Sequence, residues 1–212
     1  RESAMFYPSG YHHYYVDAER KGYSGVAIFA KQQPKQVIKH IDWDISDQEG
    51  RYIQCDYDDF SIVSLYLPSG SSGDERQAVK FAFLDRFTTH LQDLKSLGRE
   101  LVICGDLNIV HKEIDIKNWR ANQKNSGCLP EERAWLDELF GPMGFVDAFR
   151  VLNQKPHQYT WWSNRGRAWD NNVGWRIDYQ VITPGLADKI TRVEIYKTQR
   201  FSDHAPLIVE YT

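Results

Sequence analysis

"LVICGDLNIVHKEIDI", residues 101–116, is the stretch whose reading decides the fold. Leu101 to Cys104 form an apolar run of the kind that fills a fully buried strand. The run stops at Gly105, Asp106 and Asn108. A carboxylate and an amide just past a buried strand lie where α/β-type folds place their sites. Asp106 taken alone reads equally well as the cap of a turn, because Asp and Asn are favoured there. Glu113 and Asp115 behind it read as solvated residues or the start of a helix, with no chemical role.

On the N-terminal side, residues 75–97 carry Val79, Phe83, Phe87, Leu91 and Leu94 at helical spacing, with Gly98 placed as a C-terminal cap. Before that, "GYSGVAIFAK" (22–31) reads as a strand. "GRYIQCDYDDFSIVSLYLP" (50–68) reads as a hairpin that turns at Asp58-Asp59 and ends at Pro68. On the C-terminal side, Pro130 opens a helix with Trp135, Leu136, Leu139 and Phe140 on its apolar face, and Gly141 ends it. "FVDAFRVL" is ambiguous, and "QYTWW", "WRIDYQVIT", "ITRVEIYK" and "PLIVEY" read as four more strands. Strands dominate and helices interrupt them only occasionally, so a steady βαβα alternation is excluded. The expected fold is α/β: two mixed β-sheets packed face to face and flanked by helices.

The 212 residues, 42% hydrophobic, are enough for one substantial core. With no linker-like stretch, charge block or repeat, residues 1–212 read as one domain. Cys55, Cys104 and Cys128 are odd in number and widely spaced, which gives neither a disulfide framework nor a structural zinc motif. A reducing, cytoplasmic location is expected. No run of 18 apolar residues occurs, so a membrane is not an expected partner. The net charge of −3 does not advertise nucleic-acid binding, but local balance matters more. Lys112, Lys117, Arg120 and Lys124 outnumber two acids between residues 112 and 125, and Lys189, Arg192, Lys197 and Arg200 outnumber one acid between 189 and 200.

Two further stretches bear on the chemistry. "RFSDHAPLIVEY" puts Ser202-Asp203-His204 directly before the last strand. A neighbouring carboxylate favours the imidazolium form and orients the ring. In "GWRIDYQVIT", alternation places Trp175, Ile177, Tyr179 and Val181 on one face and Arg176, Asp178 and Gln180 on the other. Asp178 is then a carboxylate in mid-strand, where Asp is disfavoured, and it needs a partner: His204, or Arg176, or solvent. Carboxylate oxygens suit Mg²⁺ or Mn²⁺, and a lone His does not point to zinc. Such an ion neutralises charge on a phosphoryl group while a carboxylate takes the proton of an attacking water. The constellation points to phosphoester hydrolysis, and no Gly-rich phosphate loop or serine-hydrolase motif competes with it.

"GDLN" (105–108), "WRIDY" (175–179) and "SDHAP" (202–206), in this order, resemble the exonuclease III / AP endonuclease group of the endonuclease–exonuclease–phosphatase superfamily. "GYSGVAIF", "LYLPSG", "EIDIKNWRANQKNSG", "LPEERAWLDELF", "YTWWSN" and "VGWRIDY" extend the likeness over nearly the whole chain. The resemblance implies a four-layer α/β sandwich and a Mg²⁺- or Mn²⁺-dependent nuclease. Its substrate would be double-stranded DNA with abasic sites or 3′ ends, cut by a monomer. It implies that Asp106 activates water positioned by Asn108, and that His204, oriented by Asp178, contacts the scissile phosphate beside Tyr66. Asp203, Asp106 and Asn108 would lie at the metal. Trp161 and Trp175 would line the pocket for an abasic sugar or terminal nucleotide, although they read equally as core. Arg51, Asn122 and Asn125 would contact DNA. The family's first strand, ending in Asn, and second strand, ending in a metal-binding Glu, have no counterpart in "RESAMFYPSG", so about forty residues are expected to precede this sequence. The chain is also similar to the catabolite repression control protein, a regulator of the same fold that acts in an RNA-bound assembly with a chaperone. Retention of the carboxylates argues for the nuclease.

Overall fold

A computed structural model describes residues 3–212. Its strands are β1 (His12–Asp17), β2 (Gly25–Ala30), β3 (Gln36–Ile38), β4 (Tyr52–Asp56), β5 (Phe60–Tyr66), β6 (Glu100–Asp106), β7 (Val146–Asp147), β8 (Trp161–Trp162), β9 (Gly174–Trp175), β10 (Asp178–Ile182), β11 (Ile190–Ile195) and β12 (Leu207–Tyr211). The α-helices are α1 (Asp44–Gln48), α2 (Asp74–Ser96), α3 (Trp119–Asn122), α4 (Pro130–Phe140) and α5 (Ala148–Leu152).

The apolar run 101–104 is the middle of β6, and β6 lies inside a six-stranded sheet of order β3-β4-β5-β6-β10-β7. β5 and β6 run parallel, joined by α2 as the crossover; the other neighbours are antiparallel. α2 forms where the apolar stripe foretold it. Phe83, Leu84, Phe87, Leu91 and Leu94 are buried against Val63, Leu65, Leu101, Ile103 and Val181, and α4 adds Leu136 and Leu139. Each such side chain contributes roughly 1.5–3 kcal/mol by leaving water.

Alternation along the strands sends Ile53, Cys55, Val102 and Ile182 to the opposite face. There the ribbon β1–β2 covers one part through Val16, Val26 and Ile28, and the ribbon β11–β12 covers another through Ile190 and Val209. α5 packs on β10 and β11. The architecture is an α/β sandwich, and its second β layer consists of two separate ribbons among the described residues.

Two local expectations change. "WRIDYQVIT" is not one strand: Gly174–Trp175 pairs with β8, and Asp178–Ile182 joins the main sheet. The break falls at Arg176, whose side chain turns inward and is fully buried, rather than sharing an open face with Asp178. Asp115 is not solvated either. It is 1% exposed and holds Arg176 Nε at 2.7 Å and the Arg150 guanidinium. Asp147, which caps α5, binds Arg176 Nη2 at 2.7 Å. Burying these charges is tolerable because each has a counter-charge and hydrogen bonds.

Candidate active site

Strand register assembles the site. Tyr66 is opposite Asp106 across the β5–β6 pair, and Asp106 is opposite Asp178 across the β6–β10 pair. Residues in one row of a sheet point to the same face, here the side of the ribbons. Gly105 is needed just before this row because a Cβ on it would lie 1.7 Å from the Leu65 carbonyl oxygen of β5. A second row runs His204–Trp161–Trp175–Ile116 through successive antiparallel bridges. The two rows meet where His204 Nδ1 approaches Asp178 Oδ2 at 2.9 Å.

A cleft of about 990 Å³ opens at this junction. Its wall carries Tyr66, Asp106, Asn108, Asn125, Trp161, Trp175, Asp203 and His204. Asp178 stands behind the His204 ring and lines a separate depression of about 380 Å³. Trp161 and Trp175 meet edge to face, with ring centroids 6.0 Å apart. Both are half-buried, so each has one side in the core and one in the cleft. Asp203 Oδ2 accepts from Trp161 Nε1 at 3.1 Å, which ties this carboxylate to the pocket wall. Asn122 lies outside the cleft and braces Asn125, whose Nδ2 donates to Asn122 Oδ1 at 2.9 Å. Arg51, expected to touch DNA, is 3% exposed. Its guanidinium binds Glu49 Oε2 at 2.6 Å and the Tyr66 carbonyl at 3.0 Å, and lies 4.9 Å from the Tyr66 ring centre. It therefore backs Tyr66 and is unable to reach a ligand, because ion pairing with Glu49 already holds it inside.

The electrostatics divide the groups by role. Burial and the neighbouring Asp178 charge push the Asp106 carboxyl up to about 7, against the opposing pull of His204, the Asn108 amide and Lys80. Asp106 Oδ1 accepts the Asn108 N–H at 2.8 Å. Burial alone would lower the His204 pKa, but the hydrogen bond and charge of Asp178, with Asp106 and Asp203, raise it to about 9. His204 is thus an imidazolium at neutral pH. Burial, then the Asp106 charge, raises the Tyr66 phenol, which remains a hydrogen-bond donor.

Donor atoms of Asp106, Asp178 and His204 lie within 4.8 Å of one another. An imidazolium has no free lone pair, so the donors that count are the carboxylates. Asp106 and Asp178 are the carboxylates of this group, and hard carboxylate oxygens suit a divalent cation; Asp203, expected at the metal, is not part of the group and stands on the cleft wall beside it. Lys80 and Glu132 were not anticipated here, yet they lie directly beneath Asn108. The signal was a lysine within the apolar stripe of α2, three residues before Phe83.

Paired carboxylates, an oriented imidazolium and a phenol at the strand ends of an α/β sandwich define a hydrolase of phosphate esters. Residues 2–204 match the Endonuclease/Exonuclease/phosphatase family, and the chain belongs to that family. It is 39% identical over 201 residues to an exodeoxyribonuclease of Bacillus subtilis (strain 168), covering 94% of this chain and 79% of that one. It is also 39% identical to the DNA repair nuclease APEX1 of Danio rerio, covering 92% of this chain and 63% of the relative. Among solved structures, an AP endonuclease from Archaeoglobus fulgidus superposes with a TM-score of 0.89 at 27% identity, over 100% of this chain and 83% of that one. A 3′-5′ exonuclease from Neisseria meningitidis does so with a TM-score of 0.89 at 25% identity, over 99% and 83%.

Proposed function

We propose that the chain is a metal-dependent DNA repair nuclease that hydrolyses phosphodiester bonds with an activated water. It removes nucleotides from 3′ ends of duplex DNA and incises 5′ to abasic sites. One observation carries the reading: strand register brings Tyr66, Asp106 and the Asp178–His204 pair together at the mouth of a cleft walled by Trp161 and Trp175.

In this reading Asp106 takes the proton of the attacking water. Burial and the Asp178 charge raise this carboxyl, which makes it a stronger base than a solvated aspartate. Asn108 orients that water. His204, kept charged and fixed in orientation by Asp178, donates to a non-bridging phosphate oxygen, and Tyr66 donates to another. Trp161 and Trp175 receive an abasic sugar or a terminal nucleotide, and Asn125, braced by Asn122, meets the backbone. Asp106, with Asp203 and Asn108 as further oxygen donors of this chain, would hold Mg²⁺ or Mn²⁺, which would supply charge neutralisation at the phosphoryl group and at the leaving oxygen. Residues 1–212 act as one domain, as a monomer.

The test uses the full natural protein and an end-labelled duplex carrying one abasic site, with Mg²⁺ or with EDTA. Incision should need the metal, and Asp106→Asn should lower it by about 10²–10⁴-fold while the duplex still binds. No cleavage with any divalent metal would refute the nuclease and leave an RNA-bound regulator as the reading.

A further inference from the structure

Lys80, on α2, is fully buried, on the helix that also buries Phe83, Leu84 and Phe87. An ammonium in such a place costs several kcal/mol unless it is paired and hydrogen-bonded. Its Nζ donates to Glu132 Oε1 at 2.6 Å and to the carbonyl oxygen of Asn108 at 2.8 Å. Glu132, on the first turn of α4, is also fully buried. Its Oε2 accepts the backbone N–H of Gly127 at 2.6 Å and of Leu129 at 3.0 Å, and its Oε1 also accepts Gln77 Nε2 at 3.1 Å. Two charges thus join α2, the strap 106–110 and the loop 125–129.

The strap is the part that gains from this. Asn108 has φ +53°, in the left-handed region that asparagine enters more readily than other non-glycine residues, and its backbone is fixed there by partners on both sides. Its carbonyl is held by Lys80 and its N–H by Asp106, so a rotation at Asn108 moves the Asp106 carboxylate. The loop is bound to the same strap, since Val110 N–H donates to the Gly127 carbonyl at 2.8 Å. Gly127 is pressed between strap and pocket wall: a Cβ there would lie 2.9 Å from Asn108 O and 3.0 Å from Trp175 Cζ3. A pair kept for stability alone could be replaced by apolar residues of like volume with little loss. Apolar residues would leave the Asn108 carbonyl and the Gly127 amide without partners.

We propose that the Lys80–Glu132 pair is a positioning device for the reaction: it holds Asn108, through it the Asp106 carboxylate, and the Gly127 edge of the Trp175 wall in working geometry. This rests on the reading of the cleft as the site of phosphodiester hydrolysis. Neither residue touches substrate; both act through the strap.

The experiment compares Lys80→Met, Lys80→Arg and Glu132→Gln in the full natural protein, by kcat and KM on the abasic duplex and by amide hydrogen exchange. Lys80→Met should lower kcat about 10²-fold, the order of effect of a misplacement near 1 Å, with KM little changed. Exchange at Asn108, Val110 and Gly127 should quicken in parallel. Lys80→Arg keeps a cation able to reach both acceptors and should restore most of the rate, and Glu132→Gln should fall between. Should Lys80→Met fail to fold, the arginine and glutamine variants carry the comparison. A kcat unchanged well below the melting temperature, with only the melting temperature lowered, overturns the proposal. So does a lost kcat without faster exchange at the strap. An inactive wild type would instead overturn the nuclease reading itself, and the proposal with it.

Discussion

Replacing Asp115 by asparagine keeps the side chain's shape and removes its charge. Asp115 Oδ1 serves two guanidiniums, Arg176 at 2.7 Å and Arg150, and its Oδ2 accepts the Lys112 N–H at 3.1 Å. Breaking a buried pair costs about 3–5 kcal/mol, mostly through the charge left behind. The lower end applies here. Arg176 keeps Asp147, and Arg150 keeps the carbonyls of Asn153 and Lys155 at 3.0 and 2.9 Å. For a chain of this size 1 kcal/mol corresponds to about 2–4 °C, so a loss near 3 kcal/mol lowers the melting temperature by about 6–12 °C. Calorimetry at neutral pH measures it. Acid provides a second arm. Burial opposes ionisation of Asp115, but Arg176 and Arg150 outweigh it and hold the carboxyl below its ordinary 3.8. A carboxyl with a lowered folded-state pKa stabilises above its unfolded value and loses that contribution as pH falls through the folded one. The gap between wild type and Asp115→Asn should therefore be full above about pH 4 and close on further acidification. A melting shift under about 2 °C at neutral pH, or a gap that stays constant into acid, would refute the assignment of Asp115 to a buried ion network.

Three expectations concern the cleft. Asp178→Asn should return the His204 pKa from about 9 towards the ordinary 6.5, read by NMR titration of the imidazole, so the charged form is lost at lower pH; a value still near 9 would contradict the pairing. Tyr66→Phe, by removing one hydrogen bond to a charged phosphate, should lower kcat/KM about 10–100-fold, and a wild-type rate would remove Tyr66 from the site. Trp175→Ala should weaken binding of an uncleaved abasic duplex about 5–100-fold by fluorescence anisotropy, the range expected of one lost stacking surface, and unchanged binding would return Trp175 to a purely core role.

The sequence by itself determined those parts of the protein whose signals are local. The period of Phe83, Phe87, Leu91 and Leu94 defined α2, the apolar run before Gly105 defined the strand that became β6, and Asp106, Asp178 and His204 stood out beside strands as residues that the fold brings together. Adjacency along the chain, side-chain period and turn chemistry suffice for such readings. The tertiary structure alone decided which distant charges meet. Asp115 finds Arg176 across 61 residues and Lys80 finds Glu132 across 52, and no spacing rule links either pair. The same holds for Arg51. The family resemblance puts Arg51 at the DNA, but the fold closes Glu49 and Tyr66 over it. The split of "WRIDYQVIT" has this origin as well: Arg176 meets Asp115 and Asp147 inside the fold, and no local signal along the strand marks those two carboxylates as its partners.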